Sequence, residues 1–230
     1  MNIFEKLIAA YPPLLACLPD IEDAFALLHQ TFEEGGRVYV CGNGGSAADS
    51  LHITGELMKG FLKKRPVTFT PETAARLSPE TAAALSGKLQ GALPCHSLTA
   101  ETALITALCN DISADIIFAQ QIYGYGRKGD CLIGISTSGN ARNVCLAAEL
   151  AGAMGLRTIG LTGRDGGKLA ALCGAAIRVP AGSTPEIQEF HLPVYHALCA
   201  ALEDLFFGGV LSNIATKVKH PVLSASSQHC

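Results

Sequence analysis

Short runs of consecutive apolar residues alternate along the chain with longer stretches in which apolar residues recur every three or four positions. Glu22 to Glu34 is the first clear helical stretch, and it stops at Gly35-Gly36, a pair suited to ending a helix. Arg37 to Cys41 follows as a buried strand and Gly42 to Ser46 as a loop, and Ala47 to Leu62 is helical again. The same rhythm returns in the strand Cys131 to Ile135, the loop Ser136 to Asn140 and the helix Val144 to Met154. Arg157 to Leu161 is a third strand, followed by Thr162-Gly163 and a short helix from Gly167, and Ala176 to Val179 is a fourth. Thr184 to Phe207 reads as a helix interrupted at Pro193. Strands that are apolar throughout are buried on both faces. Strand–loop–helix units in succession therefore predict an α/β fold, a parallel sheet with helices on both faces.

Residues 66–93 break the rhythm. They are rich in Ala, Leu and Thr, and Ser78-Pro79-Glu80 marks a helix start, so the segment reads as a helical insertion with a flexible entry. Residues 1–220 are expected to form one domain around it, with 221–230 as a polar, frayed tail. No repeat is read along the chain.

Composition narrows the functional classes. The 230 residues suffice for one large domain, and 49% apolar against 16% charged residues excludes disorder. No apolar run reaches the roughly 18 residues that span a bilayer. Glu5, Lys6, Pro12 and Pro13 disfavour a secretory signal. A net charge of -3, few aromatics and no Trp argue against nucleic acid as a partner. The nine cysteines are odd in number and widely spaced, with no C-x-x-C, so they read as buried small hydrophobes in a reducing cytoplasm.

Two loops carry the first chemistry. Gly42-Asn43-Gly44-Gly45-Ser46-Ala47 fits the dinucleotide pattern G-x-G-x-x-A, but no strand ending in an acid follows about 20 residues on, where a ribose would need one. A plain tight turn and a backbone cradle for an anion both remain open. Ser136-Thr137-Ser138-Gly139-Asn140 sets three hydroxyls before a helix, more than a cap requires, and suits a monophosphate. Both loops leave carboxyl ends of strands and should face one crevice, which points to a small phosphorylated molecule. On the helix after the first loop, His52 and Glu56 share one face, as a metal pair, a base with its partner, or a surface hydrogen bond. Gln188, Glu189, His191 and His196 lie on the last helix, where each histidine could equally be a satisfied core residue. Asn110-Asp111 could cap a helix or accept sugar hydroxyls.

In this order, Gly42 to Asp49, His52-x-x-x-Glu56, Asn110-Asp111, Ile135 to Asn140, Leu161-Thr162-Gly163, and Ile187-Gln188-Glu189-x-His191 with His196 resemble the sugar isomerase (SIS) family. The combination of His52, Glu56, Gln188 and His196 is similar to its phosphoheptose isomerases. The resemblance covers nearly the whole chain outside 66–93. It implies a single SIS domain, a flavodoxin-like three-layer sandwich, that converts sedoheptulose 7-phosphate to D-glycero-D-manno-heptose 7-phosphate through an enediol. Asn43, Gly44, Gly45, Ser46, Glu56, Asn110, Asp111 and Gln188 would contact the sugar. Ser136, Thr137 and Ser138 would hold its phosphate. His52, Glu56, Gln188 and His196 would bind one zinc ion, with Glu56 and His196 as the acid/base pair and no organic cofactor. Members are cytoplasmic homotetramers with sites at subunit contacts. Gln188 and His196 are eight residues apart, about 12 Å along a straight helix, a long reach for one ion. Ala141 stands where the family usually has a hydroxyl, and Glu186 where a basic residue is common. These departures leave open an isomerase of another ketose phosphate. A non-catalytic SIS module that senses a sugar phosphate or binds a protein is the other alternative, and retention of Glu56 and His196 favours the enzyme.

Overall fold

The computed structural model describes residues 2–208. Five parallel strands form one sheet: β1 (Val38–Gly42), β2 (Cys95–Ser97), β3 (Cys131–Ile135), β4 (Arg157–Thr162) and β5 (Ala175–Arg178), in the order β2-β1-β3-β4-β5. Successive side chains of a strand point to opposite faces. Val38 and Val40 therefore enter one core, with Leu7, Ile21, Leu28, Ile53, Leu57, Val194 and Leu198. Those partners come from α1 (Ile3–Ala10), α2 (Leu18–Glu33), α3 (Gly45–Met58) and α10 (Thr184–Phe207). Tyr39 and Cys41 enter the opposite core, against Leu108, Phe118, Ile122, Val144, Ala147 and Leu169. These belong to α6 (Thr102–Asp111), α7 (Ile117–Tyr125), α8 (Arg142–Ala153) and α9 (Gly167–Leu172). The predicted three-layer α/β architecture is the one observed.

Several boundaries differ from the sequence expectation. Helix α3 ends at Met58 rather than Leu62, because Lys59 turns to extended backbone. Pro193 does not interrupt α10, which runs 24 residues through it. Strand β2 and α6 carry no clear local signal, whereas the helix expected near Ser113 is present as α7 from Ile117. Strand β2 is only three residues long and is set by pairing, Val38 opposite Cys95 and Val40 opposite Ser97. The segment after α3 is pinned by a fully buried pair. Glu203 on α10 accepts the backbone N–H groups of Phe61 (2.8 Å), Leu62 (2.7 Å) and Lys63 (3.0 Å) and the Arg65 Nε–H (2.8 Å). Arg65 in turn donates to the α3 carbonyls of Leu57 (2.8 Å) and Glu56 (3.1 Å), which caps that helix end.

Residues 66–93 contain α4 (Pro71–Arg76) and α5 (Pro79–Leu85), neither of which buries a residue. Contrary to the expectation of no repeat, they hold a tandem one: Thr70-Pro-Glu-Thr-Ala-Ala-Arg-Leu77 is followed directly by Ser78-Pro-Glu-Thr-Ala-Ala-Ala-Leu85. Each copy starts its helix in the same way. Thr70 and Ser78 accept the N–H of Thr73 (3.2 Å) and Thr81 (3.1 Å), and a proline occupies the first turn. The proposed tail at 221–230 lies outside the described residues.

Of the cysteines, Cys17, Cys41, Cys95, Cys131, Cys145 and Cys199 are buried, Cys173 is half-buried, Cys109 is exposed, and all eight are free thiols. Burial pushes Cys17 up to about 11 and Cys95 up to about 12.

Candidate active site

From β1 the chain crosses to β2 on one side, and from β3 it crosses to β4 on the other. The loops after β1 and β3 therefore diverge and open a crevice at the carboxyl ends of the strands. Both loops feed helices without a side-chain cap. Gly44 is the N-cap of α3, held at a φ of 56° that favours glycine, and Ala141 is the N-cap of α8. Two helix N-termini with positive dipole ends are the elements of an anion site, although Ser46 and Ala47 already donate to the Asn43 and Gly44 carbonyls and Val144 to the Asn143 side chain. A reciprocal amide pair ties the loops together: Asn43 donates to Asn143 at 2.9 Å and Asn143 donates back at 3.1 Å. Asn143 carried no signal in the sequence, because its partner is 100 residues away.

The three hydroxyls of the second loop are not equivalent. Ser136 is buried, and its Oγ accepts the N–H of Ala141 at 3.3 Å, so it shapes the loop. Ser138 is exposed, its Oγ accepting from Asn140 at 3.2 Å, and Thr137 is half-buried. Ser46 is buried at the start of α3. The Gln188 amide lies directly against Gly45, where any Cβ would collide with it.

Helices α3 and α10 pack side by side in the same direction, Gly45 beside Gln188 and His52 beside Tyr195 and His196. This packing decides which predicted ligands meet. His52 Nε2 is 3.2 Å from Glu56 Oε1 and 3.5 Å from His196 Nε2. Gln188 instead stands near the glycine loop, seven residues before His52 along α3, or about 10 Å. Among the described residues no three His, Cys, Asp or Glu side chains are gathered as a metal cage. Lys59 Nζ approaches Glu56 Oε2 at 3.5 Å, and the Phe61 ring packs 5.3 Å from the His196 ring. Burial and then His52 lower the pKa of His196, against a smaller opposing effect of Glu56.

Tyr195 and Asp49 also belong to this cluster, although neither was expected. The Tyr195 hydroxyl lies 3.0 Å from His52 Nδ1 and donates to Asp49 Oδ1 at 3.2 Å. Burial, then Asp49, raises the Tyr195 pKa; burial likewise raises that of Asp49, opposed by the Tyr195 hydrogen bond and by His52. Asp49 precedes His52 by three residues, so the two share a helix face, and that spacing was the one available sequence signal.

The remaining candidates lie elsewhere. His191 is fully buried, with Nε2 3.3 Å from the Thr162 carbonyl, which makes it a core residue. Glu189 is exposed. Asn110 donates to Asp111 at 2.7 Å at the end of α6, and both are exposed. Among the described residues no hydrogen bond joins that pair to either loop. Glu186 is exposed and accepts from Ser183 at 2.6 Å. A cavity of about 440 Å³ lined by Arg37, Tyr125, Arg127 and Asp130 sits at the amino ends of the strands, away from this cluster.

The description "SIS domain" applies to a family model that matches residues 18–88 and 73–163. A phosphoheptose isomerase of Rhodospirillum rubrum is 40% identical over 188 residues, 82% of this chain and 87% of that protein. One from Akkermansia muciniphila is 37% identical over 199 residues, 86% of this chain and 92% of that protein. The solved phosphoheptose isomerase of Neisseria gonorrhoeae superposes with a TM-score of 0.68 at 33% identity, covering 87% of this chain and 95% of that one. With the fold and the crevice cluster in agreement, the chain belongs to the SIS domain family, among its phosphoheptose isomerases.

Proposed function

We propose that the protein is an aldose–ketose isomerase that interconverts sedoheptulose 7-phosphate and D-glycero-D-manno-heptose 7-phosphate. The observation that carries this reading is the convergence of Glu56, His52 and His196 on one face, with His52 about 10 Å along α3 from the helix start at Gly44–Gly45. That separation is comparable to the length of an extended seven-carbon sugar phosphate. The phosphate rests on the loops at Gly44–Gly45 and Thr137–Ser138, and the carbonyl end reaches the cluster.

The reaction moves one proton from C1 to C2 and one between the two oxygens. Glu56 takes the C1 proton while His196 protonates the C2 carbonyl oxygen, which leaves an enediol. Glu56 then returns its proton to C2 and His196 accepts the proton of the C1 hydroxyl, which restores both groups. Burial favours the neutral form of His196, which can both donate and accept.

His52, Glu56 and His196 are chemically suited to a zinc ion, although among the described residues no three such side chains are gathered as a preformed cage. The separations of 3.2 and 3.5 Å from His52 Nε2 are close to the roughly 3.3 Å between ligands at tetrahedral angles on bonds of about 2.0–2.1 Å. His52, Glu56 and His196 would hold it, with Gln188 left to the substrate. When bound, the metal supplies Lewis-acid polarisation of the substrate oxygens. Exposed Leu51 and Met58 beside His52, with Leu192 on α10, support assembly into a homotetramer around the site. Free thiols support a cytoplasmic location. Among the described residues no helix is long and apolar enough to cross a membrane.

The test is a coupled assay with sedoheptulose 7-phosphate beside other ketose phosphates, with and without zinc. Turnover of the heptose is expected, and tight binding without turnover of any sugar would overturn the reading.

A further inference from the structure

Building on the isomerase reading, we propose that Tyr195 and Asp49 are positioning residues that hold His52 in the Nδ1–H tautomer and so aim its Nε2 lone pair into the active site. The number of available hydrogens fixes the tautomer. A carboxylate only accepts, so the single phenolic hydrogen of Tyr195 goes to Asp49 Oδ1, 3.2 Å away. The phenolic oxygen, 3.0 Å from His52 Nδ1, must then accept from it. A neutral imidazole carries one N–H, which leaves Nε2 bare. That bare nitrogen faces Glu56 Oε1 at 3.2 Å and His196 Nε2 at 3.5 Å. The Nε2–H of His196 can donate to it, which would orient the second ring. A lone pair and a carboxylate oxygen aimed at one point also favour a substrate hydroxyl proton or a metal cation there. In the opposite tautomer the Nε2–H would close onto Glu56 and occupy an oxygen of the base.

The surroundings make the choice rigid. Tyr195 is buried in the core side of α10, and its ring meets the His52 ring edge-on at 5.5 Å. Asp49 lies one turn before His52 on the same helix. Its Oδ1 takes the Tyr195 hydroxyl, while Oδ2 is buried without a hydrogen-bond partner. A carboxylate held half-buried at a desolvation cost, with Tyr195 as its hydrogen-bond partner, has its evident use in this chain of contacts.

The tautomer can be read directly on resting protein by long-range proton–nitrogen spectra of ¹⁵N-histidine-labelled full-length chain, with His52 assigned from a His52→Gln variant. The expected result is His52 protonated on Nδ1 and bare on Nε2. Tyr195→Phe, which removes only the hydroxyl, should shift His52 toward the Nε2–H form. It should also lower kcat about 10- to 100-fold with KM changed less than about twofold. Asp49→Asn keeps an acceptor oxygen and should give a smaller change in both readouts; it serves as the second variant should Tyr195→Phe fold poorly. An Nε2–H tautomer in the unmodified protein, or an unchanged tautomer and kcat in Tyr195→Phe, would overturn the proposal. A chain that shows the tautomer shift but does not turn over the heptose would refute the isomerase reading and support the positioning role.

Discussion

At the residue scale, Glu56 and His191 show how burial and partners give titratable side chains opposite roles. Glu56 faces two imidazoles at the mouth of a crevice, and loss of its carboxylate removes the proposed base. Glu56→Gln should lower kcat by about 10²- to 10⁴-fold with little change in KM, measured in the coupled heptose assay. His191 is fully buried, its Nε2 on the Thr162 carbonyl and its Nδ1 without a partner, and burial lowers its pKa to about 4. The sign follows directly. Below about pH 6.5 the unfolded chain binds a proton at this histidine and the folded chain does not, so stability falls as the pH drops from 6.5 to 4. Above 6.5 the contribution is flat. The full drop is about 3 kcal/mol, and His191→Gln should flatten that part of a urea-unfolding profile taken between pH 7 and 4. Both residues were visible in the sequence, but only the fold separates them. His191 and His196 are five positions apart on α10, so they fall on different faces of it, one toward β4 and the other toward α3.

At the element scale, legibility tracked how local each instruction was. Strands β1 and β3 are apolar runs, β4 is an apolar centre between Arg157-Thr158 and Thr162, all are flanked by glycine or hydroxyl-rich turns, and the sequence marks them within a residue or so. Strand β2 has three residues and exists because β1 offers it a pairing edge, which no local pattern encodes. The pairs Asn43–Asn143 and His52–Tyr195 join residues 100 and 143 positions apart, and they were invisible for the same reason. The end of α3 is another nonlocal case. Arg65 and Glu203 are among the most buried charges in the molecule, and together they fasten the turn after Glu56 to α10. Several N–H donors hold the Glu203 carboxyl below its usual range although burial alone would raise it. Glu203→Ala would strand the Arg65 guanidinium in the core, so a loss of about 3–5 kcal/mol in denaturant unfolding is expected.

At the scale of the whole molecule, the switch point between β1 and β3 explains why chemistry gathers at one end of the sheet, and it isolates the one segment that departs from the pattern. The insertion leaves and rejoins the fold at a single point. Pro66 and Gln90 form an antiparallel bridge, the Gln90 side chain accepts the Gly60 N–H at 2.9 Å, and Gly91 donates to the Arg65 carbonyl at 2.7 Å. Between those anchors, the two copies of the octapeptide make short, self-capped helices that bury nothing. A segment that adds no core and whose ends already meet should be removable. Replacing Val67–Leu89 with two glycines shortens the loop, and the closure term changes by about 2 kcal/mol in favour of the folded state. The variant is expected to fold, to unfold within a few degrees of the parent, and to keep kcat/KM for the heptose phosphate within severalfold. A collapse of kcat/KM in a variant that still melts cooperatively would instead place the repeat over the sugar and make it part of substrate selection. The two outcomes separate cleanly because the His52–Glu56–His196 cluster is held by α3, α10 and the Arg65–Glu203 pair, all of which lie outside the deleted residues.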